Sequence, residues 1–258
     1  MKMSVTDHLE ELRRRLIRSA VYIIAASLIA LYFAENILYA LKLPSKGLVE
    51  GFLVLKPAES IGIYMKTALF SGLAAAALPV FWEFFSFVKP AIREEAAFSS
   101  DGSAVGREKS VLKWVAAAFS LFAVGIAFVY FIALRPAFSF LMKLSQGLTG
   151  TAPQITLTSY ISFVCAFLLC GGLIFQIPII AYILTKIGVI TPKMMSSKRK
   201  EAYFALCVFA AVFAPTPDAF SMALFVAPMI LLYEIGILFS KAVYNKKIVP
   251  GGEVYETK

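Results

Sequence analysis

Lys198-Arg199-Lys200-Glu201-Ala202-Tyr203-Phe204-Ala205-Leu206-Cys207-Val208-Phe209-Ala210-Ala211-Val212-Phe213-Ala214-Pro215-Thr216-Pro217-Asp218 sets a short apolar run between a basic cluster and a double-proline turn. The three basic residues at its start fix one end of the apolar run 202–214 at a membrane interface. At about 1.5 Å per residue, that run spans only about 18–20 Å, short of a hydrocarbon core about 30 Å thick. Pro215 and Pro217 cannot continue the helix and mark a tight turn. The next apolar run, 219–239, therefore returns antiparallel and regains the interface near 231–234. This places Glu234 at the interface and carries the helix on past the membrane. Two short spans side by side imply a locally thinned bilayer or a water-filled depression.

Working outward, four longer apolar runs precede these two, at 16–34, 61–88, 114–134 and 160–184. The chain of 258 residues is 60% hydrophobic and 16% charged, with mean hydropathy +0.79. A soluble domain carries about 45–50% apolar and about 25% charged residues, so lipid is the expected solvent. An all-α polytopic membrane protein of six spans follows, as a single integral-membrane domain over 1–258. Disorder, a disulfide-stapled module and an ordinary soluble enzyme are excluded.

The net charge of +9 is a topological signal. Nineteen Lys and Arg fall in the N-terminal segment up to Arg18, the loop 89–113, the stretch between the fourth and fifth runs, and the tail 240–258. Only six fall on the other side: Lys42, Lys46, Lys56, Lys66, Arg135 and Lys143. The positive-inside rule puts both termini in the cytoplasm. Nucleic acid is not needed to explain the basic balance.

Cys165, Cys170 and Cys207 lie in apolar runs, form no CxxC pair and read as small core hydrophobes. One histidine, His8, gives no metal cluster, and neither metal nor cofactor is expected. No secretory signal peptide is expected, since a charged segment precedes a first run too long for an h-region. The outer loop 35–60, with Pro44 and Pro57, reads as a small structured cap. The inner loop carries a Gly/Ser-rich insert, Ser99-Ser100-Asp101-Gly102-Ser103-Ala104-Val105-Gly106, which reads as mobile. No internal repeat is visible.

Residues 1–15 read as an amphipathic segment on the cytoplasmic side. Leu9, Leu12 and Leu16 form one apolar stripe, Thr6 or Asp7 can cap the helix, and Glu10/Arg14 and Glu11/Arg15 are i,i+4 pairs. The segment is either an interfacial helix against lipid headgroups or a place where a carboxylate receives a basic peptide. Polar groups within spans are costly, which draws attention to Glu83, Gln176 and Glu234. Glu83 lies near the inner end of its span, where it can snorkel. Gln176 precedes Pro178, which frees a backbone carbonyl; its amide either joins helices or marks a polar spot on a substrate path. No nucleophile with a base, Walker loop or HExxH is present, so no enzyme is expected.

Five landmarks, in order over nearly the whole chain, carry a family resemblance. They are His8-Leu9-Glu10-Glu11-Leu12-Arg13 with Leu16, Phe87-Val88-Lys89-Pro90-Ala91-Ile92, Phe175-Gln176-Ile177-Pro178, Pro217-Asp218 with Phe220-Ser221, and Leu232-Tyr233-Glu234-Ile235-Gly236. On a six-span chain with two short final spans, they make the sequence resemble TatC, the multispanning receptor of the twin-arginine, Sec-independent translocase. The resemblance implies a concave bundle and a role in exporting folded proteins with the proton-motive force. It also implies that two glutamates bind the arginine pair of a signal peptide. The first falls on Glu11, with Arg13 and Phe87 shaping the site. The second belongs at 96, where this chain has Ala96. Glu94 or Glu95 is one substitute; Glu108, displaced by the Gly/Ser-rich insert, is the favoured one.

Other positions depart from the family as well. Gln176 stands where Glu is frequent and cannot titrate, Met222 replaces a Gln, and Glu83 stands where Gln is common. The resemblance further implies docking of single-span TatA- and TatB-type subunits near Asp218 and Met222, self-association, and a bacterial-type inner membrane. Pro44, Pro90, Pro178 and Glu234 carry structural roles. The competing readings are a small-solute secondary transporter, poorly served by a lone Gln176, and a structural assembly scaffold.

Overall fold

In a computed structural model, residues 5–49, 51–96, 108–150, 154–213 and 219–248 are described. They are almost wholly helical, and the only β-type contact among them is a single bridge between Leu53 and Thr156. In chain order the helices are α1 (Val5–Tyr32), α2 (Ala34–Lys42), α3 (Pro57–Ala75), α4 (Ala77–Ala96), α5 (Glu108–Phe128), α6 (Leu134–Thr149), α7 (Leu157–Ile174), α8 (Ile177–Lys186), α9 (Pro192–Ser197), α10 (Arg199–Phe213) and α11 (Ala219–Ile248). The chain divides into two compact units, Met1–Pro90 with Asp101–Gly172, and Ala91–Ser100 with Leu173–Lys258.

Four helical stretches are long and apolar enough to cross a membrane: Leu9–Tyr32, Leu112–Leu148, Leu157–Lys186 and Met222–Ala242. The pair Pro57–Ala75 and Ala77–Val88, bent by 45°, makes a fifth when its two halves are taken as one span. The remaining apolar element, α10, has 15 residues and at about 1.5 Å per residue reaches about 22 Å. The protein is an all-α polytopic membrane protein in which the short fifth element of the sequence is retained.

The element ends differ from the sequence reading, mostly at prolines. The first span and the segment before it form one unbroken helix starting at Val5, so Thr6 and Asp7 lie inside its first turn instead of capping it. The second run is broken at Ala76, because Pro79 has no N–H for the Ala75 carbonyl four residues back. Its second half runs through Pro90 to Ala96 instead of stopping at 88. The third run does not end at 134. A π-turn, Val129–Ala133, lies just before Pro136 and accommodates the carbonyl that this proline leaves without a partner. The helix continues to Thr149, so Arg135 and Lys143 are helical and not loop residues. It stops at Gly150, whose φ of 68° is a left-handed C-cap. In the fourth run, Pro178 separates α7 from α8 at Phe175–Gln176.

In the first unit, α1 runs antiparallel to α3 and α4. Ser27 meets Gly72 so closely that a Cβ at Gly72 would collide with the Ser27 backbone, the close approach that small residues permit within lipid. On its other side α1 exposes Ile17, Val21, Ile24 and Leu28, a stripe suited to acyl chains. Segment 34–60 folds over the ends of the helices. The hydroxyls of Tyr130 and Tyr160 donate to the carbonyls of Ala40 and Leu41 at 2.8 and 2.9 Å, and the Phe52 and Phe138 rings pack on Tyr160.

In the second unit, α8 and α11 are the main pair. Gly236 faces Ala181 and Pro178, with room for a Cβ only 3.2 Å from that of Ala181. Ala181, Met195 and Ile237 form a buried cluster. The Thr185 and Ser240 hydroxyls share a buried 2.7 Å hydrogen bond, which satisfies both polar groups inside an apolar contact.

Candidate functional site

The antiparallel register of α1 sets the site. Ser27 lies opposite Gly72, so one helix end further along, Arg15 on α1 reaches Glu83 on α4. Glu11 and Arg15 share a face of α1 at i,i+4, and Glu83 and Phe87 share a face of α4 in the same way. Arg15 stands between two carboxylates. Its Nη2 and Nε donate to Glu11 Oε1 at 2.6 and 3.0 Å, and its Nη1 donates to Glu83 Oε2 at 3.0 Å. The same Nη1 lies 3.4 Å from the Glu83 carbonyl oxygen. Arg18 Nη1 stands 3.8 Å from Glu83 Oε1, with its own side chain 61% exposed.

Burial decides how much these contacts matter. Glu83 is buried, 7% exposed. A carboxylate so placed needs a hydrogen-bonded partner of opposite charge, and Arg15 is that partner. The Arg15 and Glu11 side chains are only 21% and 25% exposed. Glu10 and Arg14 also pair, at 2.9 Å, but both are well exposed and contribute little to stability. Beside the Arg15 network lies an apolar groove of about 130 Å³, walled by Leu12, Leu16, Val80, Phe84 and Phe87. The arrangement therefore offers a guanidinium-binding carboxylate at the mouth of a small hydrophobic recess.

The structure brings Glu11, Glu83 and Phe87 together, and Arg13 is exposed on the same helix as Glu11. Glu83 is engaged by Arg15 and does not snorkel. From sequence Arg15 is only an i,i+4 partner of Glu11; its bridging role emerges once the Ser27–Gly72 contact fixes the register. Glu94 and Glu95 fall in the last turn of α4 and Glu108 at the first residue of α5, but their side chains, like that of Pro90, lie outside the described residues. Asp218 and the Gly/Ser-rich insert also lie outside them. Pro44 is the middle residue of a short 3₁₀ turn, Leu43–Ser45.

In the second unit, Gln176 is buried, 6% exposed, at the α7–α8 junction, and its carbonyl accepts from the amides of Ile179 and Ile180. Met222 is half-buried in the second turn of α11. Glu234 ties the two last helices together. Arg199 Nε and Nη2 donate to its two oxygens at 2.8 and 2.9 Å, and the Tyr203 hydroxyl donates at 2.6 Å.

Residues 7–228 match the family described as Sec-independent protein translocase protein (TatC). The Sec-independent protein translocase protein TatC of Aquifex aeolicus (strain VF5) is 34% identical over 247 residues, covering 95% of this chain and 98% of that protein. The protein of the same name from Carboxydothermus hydrogenoformans is 30% identical over 245 residues, covering 95% and 96%. Among solved structures, the crystal structure of the twin arginine translocase receptor TatC superposes with a TM-score of 0.77 at 32% identity, covering 92% of this chain and 99% of that one. Helices, register and sequence agree, and the chain belongs to the TatC family of Sec-independent protein translocase proteins.

Proposed function

We propose that this chain is the twin-arginine signal-peptide receptor and membrane core of a translocase that moves folded proteins across a bacterial-type cytoplasmic membrane, driven by the proton-motive force. The observation that carries the reading is that Glu11 already holds an arginine guanidinium through two N–H donors of Arg15. A carboxylate set to accept that group from its own chain is set to accept it from a peptide. The groove lined by Phe87 gives the apolar part of a signal peptide a place to start. Arg13, exposed on α1, helps to shape the site.

The second arginine is assigned to a glutamate of the loop after α4, with Glu108 preferred over Glu95 and Glu94. Both termini lie in the cytoplasm, in line with the 19-to-6 division of basic residues. Single-span subunits of the TatA and TatB type dock against α10 and the start of α11, where Phe204, Val208 and Phe220 are exposed and Met222 and Asp218 lie nearby in sequence. Gln176 cannot carry a proton, so coupling to the gradient runs through other groups or through the partners.

The test is photocrosslinking of a twin-arginine signal peptide to membranes containing Glu11→Ala, Glu95→Ala or Glu108→Ala variants. Loss of the crosslink with Glu11→Ala and with Glu108→Ala is expected. Full crosslinking with Glu11→Ala would remove the receptor assignment. Loss with Glu95→Ala alone among the loop variants would move the second carboxylate to Glu95.

A further inference from the structure

We infer that Glu83 is a positioning residue that makes Glu11 exchangeable: it holds Arg15 when an incoming guanidinium takes Glu11. The inference rests on the reading of Glu11 as the peptide's carboxylate. Arg15 is an internal competitor for that carboxylate, because its Nε and Nη2 occupy the acceptor positions of Glu11 Oε1, one of the two oxygens that a forked guanidinium bond needs. A ligand that binds through both oxygens therefore binds by exchange. In an exchange with no second acceptor, Arg15 would be left unpaired with its side chain only 21% exposed, and a poorly solvated charge without a partner is costly.

The geometry removes that cost. Nη1, which does not touch Glu11, is already 3.0 Å from Glu83 Oε2 and 3.4 Å from the Glu83 carbonyl. Arg15 can thus give up Glu11 while keeping a charge-assisted bond on the other side of its guanidinium. Glu83 is 7% exposed and sits on a different helix, so it is shielded from the competing peptide while Glu11 faces it. Arg18, at 3.8 Å and largely exposed, is too far and too well solvated to replace Arg15 as the main partner of Glu83. With the peptide bound, two carboxylates then serve two guanidinium groups, one from the protein and one from the ligand.

The experiment measures equilibrium binding of a fluorescent twin-arginine signal peptide to the full-length protein in lipid nanodiscs. The variants are Glu11→Gln, Glu83→Gln, Glu83→Asp and the double variant Arg15→Gln with Glu83→Gln. Glu83→Gln should weaken binding about tenfold, equivalent to about 1.4 kcal/mol, because Arg15 then clings to Glu11. Glu83→Asp should recover part of that loss. The double variant removes both the competitor and the need for its acceptor, and should bind within about threefold of the parent. A purely structural role for Glu83 would instead make the double variant as weak as Glu83→Gln or weaker, and that result overturns the inference. Parent-like binding by Glu83→Gln overturns it as well. Should Glu11→Gln bind like the parent, the receptor reading of Glu11 fails first, which separates the two claims.

Discussion

Arg15 and Arg199 are both arginines clasped by glutamates, yet their surroundings assign them different work. Arg15 bridges two carboxylates on different helices, one of them nearly buried. Arg199 sits on a single carboxylate, Glu234, with side chains 44% and 37% exposed. Solvent screens that second pair, so its contribution is to align α10 with α11 and not to hold the unit together. A double-mutant cycle with Arg199→Ala and Glu234→Ala, read by thermal unfolding of the full chain in detergent, should give a coupling of about 1 kcal/mol or less. The Tyr203 hydroxyl, also on Glu234, should make Glu234→Ala the more damaging single change. From sequence, Glu83 and Glu234 stand out as costly polar groups in apolar runs, with Glu83 read as able to snorkel and Glu234 as interfacial. The sequence does not show that Arg15 is the partner of Glu83, since Arg15 lies 68 residues from Glu83 and only the packing of α1 on α3 connects them.

Among the elements, prolines separate what was legible from what was not. The apolar runs located the membrane-crossing segments, and the short run 202–214 anticipated the short helix α10. The second and third apolar runs end at 88 and 134, whereas α4 and the α5–α6 helix continue through Pro90 and Pro136. Within a membrane the alternative to a helix is unsatisfied backbone, so the chain bends at Ala76, takes a π-turn at Val129–Ala133, or breaks at Gln176 and then resumes. Pro228 lies inside α11 with the helix unbroken around it. Glycine has the sharper effect on packing. Gly72→Leu would force α3 away from the Ser27 backbone and misalign Arg15 with Glu83. The full-length variant should lose about 1–3 kcal/mol of stability, seen as a lower melting temperature in detergent, and should bind signal peptide more weakly. Gly62→Leu, where nothing lies within 4 Å of a Cβ, is the matched control and should leave both unchanged.

For the whole molecule, the uneven distribution of basic residues predicts an orientation with both termini in the cytoplasm. In a chain with Cys165, Cys170 and Cys207 changed to Ala, Lys46→Cys should react with a membrane-impermeant maleimide in intact cells. Lys258→Cys should react only after the membrane is opened. The reverse pattern would invert the topology and put Glu11 on the wrong side to meet a peptide made in the cytosol. Recognition of an arginine side chain by Glu11 is tested by comparing the affinities of twin-arginine and twin-lysine signal peptides for the parent and for Glu11→Gln. Lysine lacks the planar fork that binds a carboxylate through two donors, so the parent should prefer twin-arginine by about tenfold and Glu11→Gln should lose that preference together with most of its affinity. Equal preference and affinity in the two proteins would contradict the account.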